Sequence, residues 1–419
     1  MTASPATLSN APSHSTSAKV AFDFEDPAFQ ADPYPTYAAL QEREPVAHRE
    51  VRGFHSYWLT RHADVVQAFR DERLTSFGIP SELEADGIPE RFKRLGAVLK
   101  HMMLRLDGED HARLRGLMNK AFTPRMVSRL EPRVESIARG LLDAVSSRGQ
   151  NQLDIIHDLA TPLPVIVIAE LLGIPNVDHP KFKRWSDEIA VVLDGSVRTA
   201  GLPQAADSAW ELAEYLRHVV SERRRNPQED LISAMTAARD EHGSLTDDEL
   251  ISNAILLLLA GHETTTNLIG NGALALLRNP DEFAALRRDP GLAANTVEEA
   301  LRYDSPVQLT ARVPSEPVVV RGVTIPPTAE ATLSIGAANR DPAVFESPEK
   351  FDIRREGGRH LSFGFGAHFC LGASLARLEG RVAFHCLATR LPQLTLADPE
   401  PPRRAGLVLR GLSALPATF

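Results

Sequence analysis

The sequence predicts a mainly α fold with a small β region. Three observations carry that prediction: helical periodicity recurs from Phe22 onward with short breaks at Pro or Gly, strand-like alternation is confined to two places, and one uninterrupted helix is long enough to cross the whole molecule.

In chain order, the first twenty residues, MTASPATLSNAPSHSTSAKV, contain no apolar run and a single Lys or Arg, Lys19. Residues 1–21 therefore read as a disordered lead-in and not as a targeting segment. Helices are expected around Pro35 to Glu42, Ala63 to Asp71, Asp110 to Phe122, Glu131 to Ser147, Pro162 to Leu172, Ala205 to Arg225 and Asp247 to Leu277. Strands are expected at Ser56 to Thr60 and within Pro317 to Ile335, the latter folding about a turn at Arg321-Gly322. No internal repeat, Gly/Ser linker or composition break interrupts residues 22–419, so a single domain is the economical expectation.

The longest helix is bounded most clearly. Thr246-Asp-Asp-Glu249 is a capping box, and Pro280 forbids continuation beyond Asn279. At 1.5 Å per residue this helix runs about 50 Å. Apolar residues occupy all sides of its middle, which marks it as central and buried.

Composition narrows the function classes. An apolar fraction of 43% with 24% charged residues describes a globular protein with a large core. The formal charge, 46 − 55 = −9, argues against a nucleic-acid or anionic-membrane surface. The longest apolar run, Ala254 to Ala260, is far short of the ~20 residues a spanning helix needs, so no membrane segment is expected. Cys370 and Cys386 are the only cysteines, too few for a disulfide framework, which fits a reducing, cytoplasmic setting. Cys386, within Ala383-Phe-His-Cys-Leu on an apolar helix, reads as core packing.

Cys370 reads otherwise. It lies in Leu361-Ser-Phe-Gly-Phe-Gly-Ala-His-Phe-Cys-Leu-Gly-Ala-Ser-Leu-Ala-Arg377, just before a helical pattern. Glycines 364, 366 and 372 let the backbone approach a flat ligand and aim amides at the sulfur. A helix start then favours a thiolate, the form that ligates metal. Structural zinc would want several Cys or His ligands, and only His368 is near. A second anomaly is the polar stretch Ala260-Gly-His-Glu-Thr-Thr-Thr-Asn267 inside the long helix. Ala260, Gly261 and Thr264 are expected to share a face, forming a small-residue groove beside a hydroxyl that can bond back to a carbonyl one turn earlier. Glu263 projects about 100° from Thr264, so it would supply protons indirectly; Thr265 and Thr266 read as packing hydroxyls.

The cysteine segment resembles the haem-binding signature of the cytochrome P450 superfamily, Phe-x-x-Gly-x-(Arg or His)-x-Cys-x-Gly, at Phe363, Gly366, His368, Cys370 and Gly372. The helix stretch resembles that family's oxygen-activating motif, Ala-Gly-x-(Asp or Glu)-Thr. The motifs follow the family's order over roughly residues 22 to 410, with Gly108 standing where relatives often carry Pro. The resemblance implies the soluble bacterial type of this fold: a long central helix over haem b, with the cysteine loop on the opposite face. It implies Cys370 as axial iron ligand, Ala260 and Gly261 beside the oxygen site, and Glu263 and Thr264 as the catalytic acid and alcohol. His111 and Arg115, two cations at i and i+4, together with Arg312 and His368, are implied to hold the propionates. Glu299 and Arg302 are implied structural support, with Arg354 or Arg355 joining them. Pocket walls would come from Ile79 to Met103 and Gly173 to Pro203.

The implied activity is monooxygenation: hydroxylation or epoxidation of a secondary metabolite, terpenoid or fatty acid-like compound. Electrons would come from a ferredoxin or flavodoxin with its NAD(P)H-dependent reductase, docking on a basic patch drawn from Arg113, Arg354 or Arg359 of a monomer. A haem-thiolate protein of this fold that only binds ligand or recruits a carrier would be favoured by loss of the acid–alcohol pair, yet Glu263 and Thr264 are both present.

Overall fold

The computed structural model describes residues 20–24, 26–51, 54–76, 78, 83, 87–190, 201–241 and 243–419. Most of the expected lead-in, and residues 191–200 of the expected pocket wall, lie outside the described residues. Val20, within the expected lead-in, is buried in a cluster with Phe29, Tyr37 and Trp58.

All seven expected helices form, at Tyr34–Arg43, His62–Arg70, Gly108–Ala121, Glu131–Ser146, Pro162–Leu171, Leu202–Arg225 and Asp247–Arg278. The last spans 32 residues, or about 48 Å. Its capping box is complete: Glu249 N–H donates to Thr246 Oγ1 at 3.2 Å, and Thr246 N–H to Glu249 Oε2 at 2.9 Å. Its flanks are buried from Glu249 to Leu259 and from Thr265 to Leu276, against Pro162–Leu171, His179–Ala190, Leu202–Arg225, Ala293–Tyr303 and Ala373–Arg390. Among the described residues no helix is long and apolar enough to cross a membrane.

A five-stranded sheet runs in the order Val46–Val51, Phe54–Leu59, Glu330–Ser334, Leu309–Pro314, Leu74–Thr75. Glu330–Ser334 pairs parallel with Phe54–Leu59 and antiparallel with Leu309–Pro314, where Ala331 faces Arg312. The hairpin Val318–Val320/Val323–Ile325 turns at Arg321 (φ 49°) and Gly322 (φ 80°), the left-handed pair that suits strand twist. The strand expected to reach Ile335 stops at Ser334 and gives way to the short helix Ile335–Ala338. There Gly336 packs so close to Gln308 that a Cβ would lie 2.2 Å from its Oε1.

Candidate active site around Cys370

Two turns of tight backbone shape the cysteine loop. Gly364 (φ 69°) and Gly366 (φ 72°) are left-handed, and a Cβ on Gly366 would meet the Phe69 carbonyl at 2.8 Å. Cys370 N–H donates to Phe363 O at 2.9 Å, closing the loop, and helix Ala373–Arg390 begins just beyond Gly372. The amides of Gly372 and Ala373 bond the sulfur, as the sequence suggests. They do not suffice to ionise it. Burial pushes the Cys370 thiol above its ordinary value, outweighing those amides and the charges of Arg115 and Arg377. A metal cation held at the sulfur would favour the thiolate that the sequence leads one to expect.

The implied propionate residues converge from three elements. His111 and Arg115 lie on Gly108–Ala121, Arg312 on Leu309–Pro314 and His368 in the cysteine loop. The rings of His111 and His368 stack with centroids 4.0 Å apart. Arg312 is buried, donates to Ala311 O at 2.8 Å and lies 5.7 Å from the Phe69 ring centroid. Neither Arg312 nor Arg115 has a carboxylate in ion-pair range among the described residues. The one acid here is Asp107, which sequence reasoning missed; its Oδ1 lies 3.2 Å from His368 Nε2, and Ser76 N–H donates to its Oδ2 at 2.7 Å. Burial, then the charges of His368 and Arg115, pull His111 down to about 4, so it is neutral near pH 7 and not the cation expected. Burial also depresses Arg115 and Arg312. One buried and one half-buried guanidinium and two imidazoles sharing one carboxylate are a costly arrangement that a flat dianionic group relieves. The donor set therefore fits haem. Gly108 explains its own departure from Pro, since its φ of 59° is closed to proline.

The segment between Met103 and Asp107 links the cysteine loop to the long helix. Asn253 accepts from Met103 N–H at 2.9 Å and donates to His101 O at 2.8 Å, while Asp107 meets His368. Further along that helix, Thr264 Oγ1 donates to Ala260 O at 2.6 Å, the expected back-bond, and the helix continues unbroken. Ala260 is exposed, whereas Gly261 turns toward helix Pro162–Leu171, where a Cβ would sit 3.9 Å from Ile168 Cδ1. Glu263 accepts from Arg404 Nη1 at 2.7 Å, a partner 141 residues away that no local pattern reveals. Thr265 and Thr266 are buried as expected, and Thr266 Oγ1 donates to Ala160 O at 3.1 Å. His262, also missed, is buried with Nδ1 3.1 Å from Ser186 Oγ. Burial pulls it down to about 4, Asp187 opposing and Lys183 and Arg404 assisting.

Glu299 and Arg302 are nearly inaccessible and joined by two hydrogen bonds of 2.7 and 2.8 Å. Arg355, not Arg354, completes the network, its Nε 3.2 Å from both Glu299 oxygens. Arg302 also donates to the carbonyls of Asn339, Pro348 and Lys350. Asn339 in turn accepts from Leu361 N–H at 2.6 Å and donates to Ser362 Oγ at 2.8 Å, which ties the network to the start of the cysteine loop. Of the expected docking cations, Arg113 is committed to an ion pair with Glu249, Arg354 lies 3.9 Å from Glu282, and Arg359 rests over Phe365 and Phe369.

Comparison with known proteins agrees with this geometry. The family model described as Cytochrome P450 matches residues 80–290 and 291–408. Cytochrome P450 107B1 of Saccharopolyspora erythraea is 42% identical over 399 residues, covering 93% of this chain and 96% of the relative. The 6-deoxyerythronolide B hydroxylase of the same organism is 40% identical, covering 94% and 98%. The crystal structure of P450BioI in complex with hexadec-9Z-enoic acid-ligated acyl carrier protein superposes with a TM-score of 0.87 at 37% identity, covering 94% of this chain and 99% of that one.

Proposed function

The chain belongs to the cytochrome P450 family, and from that premise we propose that Cys370 would ligate the iron of a bound haem b through its thiolate, and that His111, Arg115, Arg312 and His368 would receive its propionates. The protein is a haem-thiolate monooxygenase acting on a lipophilic small molecule. The observation that carries the site assignment is Arg312, a buried guanidinium with no carboxylate partner among the described residues, set in the same cluster as His368 of the cysteine loop.

Bound haem iron supplies the activation of dioxygen by two electrons and the insertion of one oxygen atom into substrate, the other leaving as water with two protons. The protein's own work is to hold groups and protons. The amides of Gly372 and Ala373 hold the Cys370 sulfur in place and temper its charge. Ala260 leaves open space on the oxygen side, and Thr264 Oγ1 keeps a proton there, parked on the Ala260 carbonyl. Glu263, held by Arg404, is the proton source at one remove. Glu299, Arg302 and Arg355 hold the strand-to-loop junction that sets the loop. Phe363, Gly366 and Gly372 would shape the surface offered to the haem. Residues 22–419 act as one domain, a cytoplasmic monomer that hydroxylates or epoxidises its substrate. It receives electrons from a ferredoxin or flavodoxin served by an NAD(P)H-dependent reductase, with Arg359, which lies over Phe365 and Phe369 of the cysteine loop, and Arg354 as the docking cations.

The test is haem retention by Arg312→Gln. A charge-assisted hydrogen bond contributes about 1.5–3 kcal/mol, so haem transfer to excess apomyoglobin should accelerate roughly ten- to a hundredfold. An unchanged transfer rate would remove Arg312 from the propionate set.

A further inference from the structure

His262 lies inside the oxygen-side stretch yet has no part in the mechanism above. Two residues before Thr264, it leaves the helix about 200° around from it, on the far side from the open space beside Ala260. Its ring is 2% exposed and its Nδ1 is hydrogen-bonded at 3.1 Å to Ser186 Oγ, in a residue that is 0% exposed. Asp187 Oδ1 stands 3.9 Å from the same nitrogen, and Lys183 Nζ donates to the other Asp187 oxygen, Oδ2, at 2.6 Å; the charge of Arg404 also acts on the ring. Ser186 and Asp187 belong to His179–Ala190, a helix inside the stretch that the sequence assigns to the pocket wall. Phe182 and Trp185 of that helix pack against Tyr215 of Leu202–Arg225 with centroids 5.3 and 5.7 Å apart. Polar bonds also join the helix to Leu202–Arg225, from Trp185 Nε1 and Arg184 Nη2 to Glu211 at 2.8 and 2.9 Å and from Ser208 Oγ to Glu188, whereas the buried bond from Ser186 ties it to the long helix.

We propose that His262 is a positioning residue: its bond to Ser186 fastens the pocket-wall helix to the turn of the long helix that presents Glu263 and Thr264, so that filling the pocket sets the geometry of the acid–alcohol pair. The proposal rests on the monooxygenase reading above. Breaking the bond leaves a buried imidazole or hydroxyl unpartnered and removes the buried tie between the pocket-wall helix and the long helix, while the bonds to Leu202–Arg225 remain.

The experiment uses holoprotein with 4-phenylimidazole, an iron-coordinating probe that fills a haem pocket. Its Kd is read from the Soret shift, and amide hydrogen exchange is followed in peptides covering 179–190 and 258–266. In the wild type, the probe should protect both segments together. In Ser186→Ala and in His262→Phe, protection should persist over 258–266 and vanish over 179–190, with Kd rising about fivefold, the equivalent of a hydrogen bond contributing about 1 kcal/mol net. The double variant should be no weaker than the weaker single, while Ser186→Thr and His262→Asn, which keep a hydroxyl and a polar atom at the Nδ1 position, should restore joint protection. Joint protection retained in the Ala and Phe variants, or Kd effects that multiply in the double, would overturn the proposal. A wild-type protein lacking the thiolate-type ferrous–CO band would overturn the haem reading itself and the proposal with it.

Discussion

Glu299→Gln separates structural support from catalysis at the buried Glu299–Arg302 pair. The carboxylate accepts two bonds from Arg302, one shared between its two oxygens from Arg355 Nε–H, and one from Asp352 N–H at 2.9 Å. Glutamine keeps the shape but presents one oxygen and no charge, leaving two arginines that are 2% and 14% exposed at their side chains without a counter-ion. Breaking a buried pair in this way costs about 3–5 kcal/mol. For 419 residues the unfolding entropy is about 0.9 kcal/mol/K, so calorimetry should show Tm falling by about 3–6 °C. Because Asn339 carries the network to Leu361 and Ser362, haem occupancy should fall as well. In the haem-loaded fraction, the ferrous–CO band and the ratio of product formed to NAD(P)H consumed should match the wild type. An unchanged Tm would refute the buried network as a stabilising element, and a changed product ratio at equal haem loading would make Glu299 part of the chemistry.

Thr264→Ala removes the hydroxyl that is bonded to the Ala260 carbonyl, so NAD(P)H consumption should persist while product per NAD(P)H falls severalfold; preserved coupling, measured with surrogate redox partners, would count against Thr264 as the proton holder. Burial pushes the Glu298 carboxyl up, but hydrogen bonds from His360 and Arg377 outweigh it and hold it at about 2. A depressed acid stabilises above its unfolded value of about 4.3 and loses that contribution as pH falls toward its folded value. The Tm difference between wild type and Glu298→Gln should therefore be full above pH about 4.5 and shrink toward pH 2; a difference constant across that window would contradict the assignment.

The parts of the site that sequence made legible are those written in one short stretch. The cysteine loop needs left-handed glycines at fixed offsets from Cys370, and the long helix announces itself by its capping box and its terminal proline. What sequence left dark are partners brought together by folding. Arg404 reaches Glu263 across 141 residues, Asp107 reaches His368 across 261, and Ser186 reaches His262 across 76. None lies at a spacing that helix or strand periodicity marks. The two electrostatic corrections have the same origin: spacing shows which groups are neighbours, but burial decides whether His111 and the Cys370 thiol carry charge. The helices Glu90–Lys100 and His179–Ala190 and the edge strand Val46–Val51 also lie outside the sequence expectations. Val-Ala-His-Arg-Glu-Val alternates poorly, and its pairing with Phe54–Leu59 supplies what its own pattern lacks.

The most direct test of the central claim is the ferrous–CO difference spectrum of the purified protein and of Cys370→Ser. The account predicts a red-shifted, thiolate-type Soret band in the wild type and its complete loss in the variant, whether or not the variant still retains haem through Arg115 and Arg312. A variant that keeps the red-shifted band would show that Cys370 is not the axial ligand.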